Sequence, residues 1–136
     1  MENRTVFDTN VWISYIIKSK FDDLAVFVEK QGVRFLRSAP SLAELQDVLS
    51  RKKLHKYNIH FDRTIAFYKN LTEFCETQAL FSACSDTKDN FLFDLAIQGN
   101  AKYLISGDKK VLETPVESEK LQITTLPAFK EDLQLH

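Results

Sequence analysis

The chain has 136 residues, of which 44% are hydrophobic and 27% charged, and its formal net charge is -1. That balance suits one folded domain with a substantial core, and it excludes a disordered tail or a surface coated in positive charge. No apolar run approaches the about 18 residues of a membrane helix, and Met1-Glu2-Asn3-Arg4 lacks the basic-then-apolar order of a secretory signal, so a cytoplasmic protein without membrane contact is expected.

The first predicted element is a buried strand over residues 4–8. Asn10 can cap the helix after it, which turns Val11, Trp12, Tyr15 and Ile16 inward and carries Ser14 one turn after Asn10. A second helix begins near Asp22 or Asp23, uses Leu24, Phe27 and Val28, and ends at Gly32; residues 33–36 then read as a strand. Pro40-Ser41 leads into a helix with Leu42, Leu45, Val48 and Leu49 on its apolar side. Residues 62–75 read as another helix, with Ile65, Phe67, Tyr68, Leu71 and Phe74 for packing. In the last third, residues 80–83 form a short strand, 89–98 a helix ended by Gly99, 103–106 a strand, and Val111-Leu112 a short helix or turn. A final strand covers 121–124, and Pro127 occupies the first turn of a terminal helix.

This alternation predicts an α/β fold with a mainly parallel sheet covered by helices on both faces. Only 3 Gly and 3 Pro leave little room for a linker, so residues 1–136 read as one domain. Cys75 and Cys84 have no close metal-ligand spacing and read as free thiols.

Acids stand where the apolar runs stop. Asp8 ends the first strand, and Asp108 follows Ser106-Gly107 after a later one. If the two strands are parallel neighbours their carboxylates meet at one sheet edge, where ligands of such folds gather. Like charges so placed repel unless a cation joins them, which points to a divalent metal and phosphate chemistry. Each acid also has a local reading. Asp8 or Thr9 can cap the next helix, and Asn10 either caps it or orients a ligand. Ser41-Leu42-Ala43-Glu44 fits a capping box, the use that the residues alone favour for Glu44. Asp86 can cap the 89–98 helix, with Asp89 in its first turn near the positive helix end. Asp94 reads as a surface acid. Gly107 would allow backbone to approach a ligand, and Lys109 either touches a phosphate or points into water. A basic group, Arg51-Lys52-Lys53 with Lys56 and Arg63, could steer a polynucleotide. His55 and His60 have no spacing that compels ligation or base catalysis.

Four segments in order resemble the PIN domain, the small nuclease fold widespread among toxins of prokaryotic toxin–antitoxin pairs. They are Val6-Phe7-Asp8-Thr9-Asn10-Val11-Trp12-Ile13-Ser14, Ser41-Leu42-Ala43-Glu44-Leu45, Asp86-Thr87-Lys88-Asp89-Asn90-Phe91, and Tyr103-Leu104-Ile105-Ser106-Gly107-Asp108-Lys109. The resemblance implies a three-layer α/β/α sandwich, with a helical insertion around residues 51–75. It implies a catalytic acidic set of Asp8, Glu44, Asp89 and Asp108 holding Mg2+ or Mn2+, with Asp86 as a further metal-site acid. It thereby turns the preferred use of Glu44 from cap to ligand. Asn10, Ser14 and Lys109 become candidates for contact with substrate. The activity implied is ribonucleolytic, the partners an RNA, an antitoxin protein and a second copy of the chain.

Other readings fit less well. A phosphotransfer receiver needs an acceptor aspartate after a central strand, where Arg37-Ser38 stand. A phosphatase with an aspartyl nucleophile wants an acid two residues after Asp8, where Asn10 stands. A non-catalytic module binding RNA or protein over a structural metal remains the principal alternative.

Overall fold

The computed structural model describes residues 2–135. Its centre is a five-stranded sheet in the order β3-β2-β1-β4-β5, with every pairing parallel. The strands are β1 (Asn3–Phe7), β2 (Val33–Arg37), β3 (Thr72–Phe74), β4 (Tyr103–Ile105) and β5 (Gln122–Thr124). The helices are α1 (Thr9–Ile17), α2 (Phe21–Lys30), α3 (Ala39–Leu49), α4 (Phe61–Leu71), α5 (Asn90–Gln98), α6 (Lys109–Leu112) and α7 (Leu126–Leu135). Parallel strands need crossovers, and helices supply them, so the sheet is covered on both faces as its near-continuous apolar strands require.

Alternation within the strands assigns the faces. Phe7, Phe35, Tyr103 and Ile105 enter one core with Trp12, Tyr15, Phe27, Leu45, Tyr68 and Phe129, contributed by α1, α2, α3, α4 and α7. This core is largely aromatic: Phe7 lies 4.6 Å from Phe35 and 5.2 Å from Trp12, and Trp12 lies 5.0 Å from Tyr68, all tilted or edge-on. Val6, Leu36 and Leu104 face the other way, against Leu92, Phe93, Leu95 and Ala96 of α5 and Val111 of α6. Gly99 lets α5 end hard against the sheet, since a Cβ there would stand 2.7 Å from both Leu36 Cδ1 and Leu95 O. The expected three-layer α/β/α arrangement is the one observed.

Several elements differ from expectation. The predicted 62–75 helix stops at Leu71, and residues 72–74 become edge strand β3. Arg37 captures the chain there: its Nη1 donates to Lys69 O (3.0 Å), Thr72 O (2.6 Å) and Thr72 Oγ1 (3.0 Å), and its backbone O accepts from Cys75 N (2.8 Å). Phe74, expected to pack, is 54% exposed. The 51–75 segment is therefore only partly a helical insertion: it holds a 3₁₀ helix, Lys52–Tyr57, then α4, then a strand of the main sheet.

Residues 80–83 are not a strand. Their backbone is held instead by Asp94, whose Oδ1 accepts from Leu80 N (3.0 Å) and Phe81 N (2.8 Å). Asp94 is thus a buried structural acid, 5% exposed, and not the surface residue expected. Its carboxylate offers these amides a partner that a sheet edge would otherwise have to supply. Cys75 and Cys84 are free thiols, as expected.

Candidate metal centre

In the strand order, β2 and β3 extend from one side of β1 while β4 and β5 extend from the other. The strand order reverses between β1 and β4, and in open parallel sheets the carboxyl ends of the strands at such a point are where ligands bind. Register does the rest. Phe7 pairs with Ile105, so the next residues on each strand, Asp8 and Ser106, stand side by side, and Asp8 N donates to Ile105 O at 2.9 Å.

Asp8 is buried, and Ser106 Oγ donates to its Oδ2 at 2.7 Å. The same Ser106 oxygen accepts from Asp108 N at 3.0 Å. One hydroxyl therefore ties the acid after β1 to the loop after β4. Ser106 escaped the site residues drawn from sequence; its signal was the Ser-x-Asp spacing, a hydroxyl two residues before an amide it can accept from. Burial pushes the Asp8 carboxyl up from its ordinary value, and Asp108 adds to the rise. The bonds from Ser106 and from the Asn10 and Thr9 amides oppose it without cancelling it.

Three further acids converge near Asp8. Asp86, Asp89 and Asp108 each present a carboxylate oxygen within 4.8 Å of the others. Their backbones are set by local bonds. Asp86 caps the 3₁₀ turn Thr87–Asp89 by accepting from Lys88 N (3.2 Å), and Asp108 caps α6 by accepting from Lys110 N (2.9 Å). The cap foreseen for Asp86 on the 89–98 helix falls instead on this 3₁₀ turn, and Asp89, expected in the helix's first turn, stands at the N-cap position of α5. Asp89 is pushed up to about 6, by burial first and then by Asp8, Asp86, Asp108 and Glu44 in turn. Among the described residues no lysine or arginine forms an ion pair with any of these five acids.

Glu44 reaches this field from α3. The capping box expected at Ser41–Glu44 is formed one turn earlier: Ser38 Oγ accepts from Ser41 N (3.3 Å), and Ser41 Oγ accepts from Ser38 N (2.8 Å). Ser38 is the residue after β2, so the helix starts at the strand end and Glu44 is relieved of capping. Its carboxylate is felt at Asp89 without joining the tight group. Asn10 is not the cap of α1 either. It is the second helical residue, exposed, behind Asp8 at the cap position. Asn10 and half-buried Ser14 stand one turn apart on α1. Lys109 is exposed and pairs with Glu113 on its own helix at 3.7 Å. Gly107 is exposed and a Cβ there would meet nothing within 4 Å, so the loop before Asp108 is open and not crowded.

A set of carboxylate oxygens lacking a basic partner suits a hard divalent cation such as Mg2+ or Mn2+; burial first and neighbouring carboxylates second raise Asp8 and Asp89, and such an ion would offset the second of these. A centre of this kind at the carboxyl edge of a parallel sheet defines an acidic, oxygen-ligand site. The PIN domain profile matches residues 4–110, a span that takes in all five acids, and the chain belongs to the PIN domain family, a family of nucleases. Among solved structures, a chain of the crystal structure of VapBC2 from Rickettsia felis bound to a DNA fragment from their promoter is similar, with a TM-score of 0.59 and 18% identity, covering 90% of this chain and 98% of that one. At that identity the likeness is one of fold. No curated protein matches the chain. No helix among the described residues is long and apolar enough to cross a membrane.

Proposed function

We propose that this protein is a cytoplasmic, Mg2+- or Mn2+-dependent endoribonuclease that hydrolyses RNA phosphodiester bonds. In this reading it is the toxin of a toxin–antitoxin pair, restrained by a cognate antitoxin protein. The observation that carries the nuclease reading is the convergence of Asp86, Asp89 and Asp108 beside Ser106-bound Asp8, with no lysine or arginine among the described residues ion-paired to them. Family membership supports phosphodiester chemistry, and the similarity to a chain of the VapBC2 structure supports an antitoxin partner. Residues 1–136 act in this reading as one nuclease domain.

Asp8, Glu44, Asp86, Asp89 and Asp108 would hold the ion, with Asp8, Glu44, Asp89 and Asp108 the set required for catalysis. A bound divalent ion supplies Lewis-acid charge that activates water and offsets charge developing on the phosphodiester. The chain's own work is placement. Ser106 donates to Asp8 Oδ2, and the Asn10 and Thr9 amides also bond this carboxylate, so the chain itself sets its orientation. Asn10 and Ser14 offer an amide and a hydroxyl along the α1 face for a substrate phosphate or water. Lys109, on the first turn of α6, stands beside the same loop as a further phosphate contact.

Purified protein is incubated with mixed RNA and with single-stranded DNA, in Mn2+, Mg2+ or chelator. Cleavage of RNA with either metal and none with chelator is expected. Equal metal-dependent cleavage by wild type and Asp8→Asn, at matched folded concentration, would remove the reading. Light scattering of the free chain measures whether two copies pair.

A further inference from the structure

The far end of α1 carries a second concentration of chemistry that the acidic centre does not use. The turn joining α1 to α2, Lys18-Ser19-Lys20, stands between two depressions of different character. On one side is a cavity of about 330 Å³ lined by Phe21, Tyr57 and Phe67 with His60 and Arg63, and Ser19 forms part of its rim. On the other is a shallow polar groove of about 80 Å³ lined by Ser14, Lys18, Lys20, Lys130, Tyr15 and Asp23.

The turn itself is held in place. Ser19 takes a left-handed φ of 53°, its N–H donates to Ile16 O at 3.1 Å, and Lys20 N donates to Tyr15 O at 2.9 Å. Such a helix ending fixes the direction of both flanking lysines' backbone. Among the described residues none of Lys18, Lys20 and Lys130 forms an ion pair, and Asp23 is the one carboxylate of the groove. Tyr15, which lines the groove, is 5% exposed, and its hydroxyl is buried without a hydrogen-bond partner. A polar group so placed costs stability unless a partner reaches it. In the cavity, Tyr57 is 41% exposed with Lys56 Nζ 5.3 Å from its ring centroid, and Phe21 stands edge-on to Phe67 at 5.1 Å.

An aromatic, partly apolar cavity and a cationic groove on opposite sides of one rigid turn match the two halves of a nucleotide. Aromatic rings offer a stacking surface to any base, and lysines without an ion-pair partner, of which Lys130 stands 5.8 Å from the Tyr15 ring centroid, attract the phosphates on either side of it. Asn10, Ser14 and Lys18 lie at successive helical turns of one α1 stripe, joining this turn to the acidic centre. The distance from Asn10 to Lys18 along the axis is about 12 Å at 1.5 Å per residue, the length of three or four nucleotides of a stacked strand.

We propose that the α1–α2 turn is a subsite for single-stranded polynucleotide, with one base in the Phe21–Tyr57–Phe67 cavity and its flanking phosphates on Lys18, Lys20 and Lys130. The subsite sets how far from an occupied end, or from a preferred base, the strand is presented to the acids. It rests on the proposed action on nucleic acid, but its test is independent of cleavage.

Binding of a 5′-labelled single-stranded oligoribonucleotide is followed by fluorescence anisotropy in chelator, for wild type, Tyr57→Ala, and the double variant Lys18→Gln with Lys20→Gln, each checked for folding by circular dichroism. Both changes lie on the surface. Tyr57→Ala should weaken binding on the order of 10-fold, in line with the loss of one stacked base. The lysine pair should lower the slope of log affinity against log salt by about 1.4, two phosphates at about 0.7 each. Failure of wild type to bind, unchanged affinity and salt slope in the folded variants, or equal competition by a polyglutamate peptide would overturn the subsite. Cleavage by wild type with unaltered variant binding sinks the subsite alone. Weakened variant binding with no cleavage in Mn2+ or Mg2+ sinks the nuclease reading and leaves the subsite standing.

Discussion

Asp8 and Asp89 are both acids raised above their ordinary range, yet the fold holds them in different ways. Asp8 sits at the end of a central strand, buried, with Ser106 and two backbone amides on its carboxylate. Asp89 sits at the end of a 3₁₀ turn, half-buried, with four other carboxylates as its electrostatic neighbours. Asp8 is positioned by the sheet and can keep its geometry with or without an ion. The 86–89 turn is held by a few local bonds and carries most of the repulsion. A buried anchor beside a more exposed acidic turn is an arrangement whose shared negative charge a divalent cation would offset.

The sharpest contrast should come from removing each acid. Asp8→Asn is expected to reduce RNA cleavage by more than the about 100-fold that loss of an outer partner of a metal site costs, with the thermal midpoint kept within a few degrees. Retention of cleavage would show that the anchor lies elsewhere. Asp89→Asn should lower cleavage too, but with a gain of stability in chelator at pH 7, since it removes the charge that Asp8, Asp86, Asp108 and Glu44 oppose.

The pH dependence distinguishes the turn from the anchor. Folding raises the Asp89 carboxyl from 3.8 to about 6, so the folded chain binds a proton more readily than the unfolded one. Its stabilising protonation is complete below about 3.8 and is lost as pH rises through about 6. In chelator the melting temperature of wild type should therefore fall as pH rises from about 3.8 to about 6, and level off above that. Asp89→Asn should flatten that fall, and Mn2+ should offset it at pH 7 in wild type. An unflattened profile in the variant would place the repulsion on other acids.

Ser106→Ala should cost about 10-fold in cleavage by freeing Asp8 to rotate, together with about 1 kcal/mol of stability for a buried hydrogen bond. The smallest structural effects are expected at Glu44 and Gly107. Glu44→Gln should not lower the melting temperature, because Ser38 and Ser41 cap α3 and the change removes a charge that opposes Asp89, so a loss of Mn2+ affinity by calorimetry reports on the site and not on unfolding. Gly107→Ala meets no atom within 4 Å, and a drop in cleavage without a drop in stability would locate substrate at that loop.

Much of the fold was legible locally. The alternation of apolar runs marked β1, β2, β4 and β5, and 3.6-residue spacing marked α1, α2, α3 and α5 to within a few residues. The failures share a cause. Residues 72–74 and 80–83 are short, and their local pattern was overridden by distant side chains: Arg37 drew the first into the sheet, and Asp94 kept the second out of one. At the site, Asp8, Asp86 and Asp108 could be picked out by position after a strand or before a helix. Ser106 could not be ranked, because its value lies in touching two loops at once.

The order and kind of the main elements, the acids at strand ends and the PIN-like succession of segments followed from residues near one another in the chain, where backbone geometry and apolar periodicity act. Which acids converge, which serine bridges the loops after β1 and β4, and which lysines gather beside the α1–α2 turn depended on strand register and helix packing. Those are set by contacts between segments up to a hundred positions apart, and no local pattern encodes them.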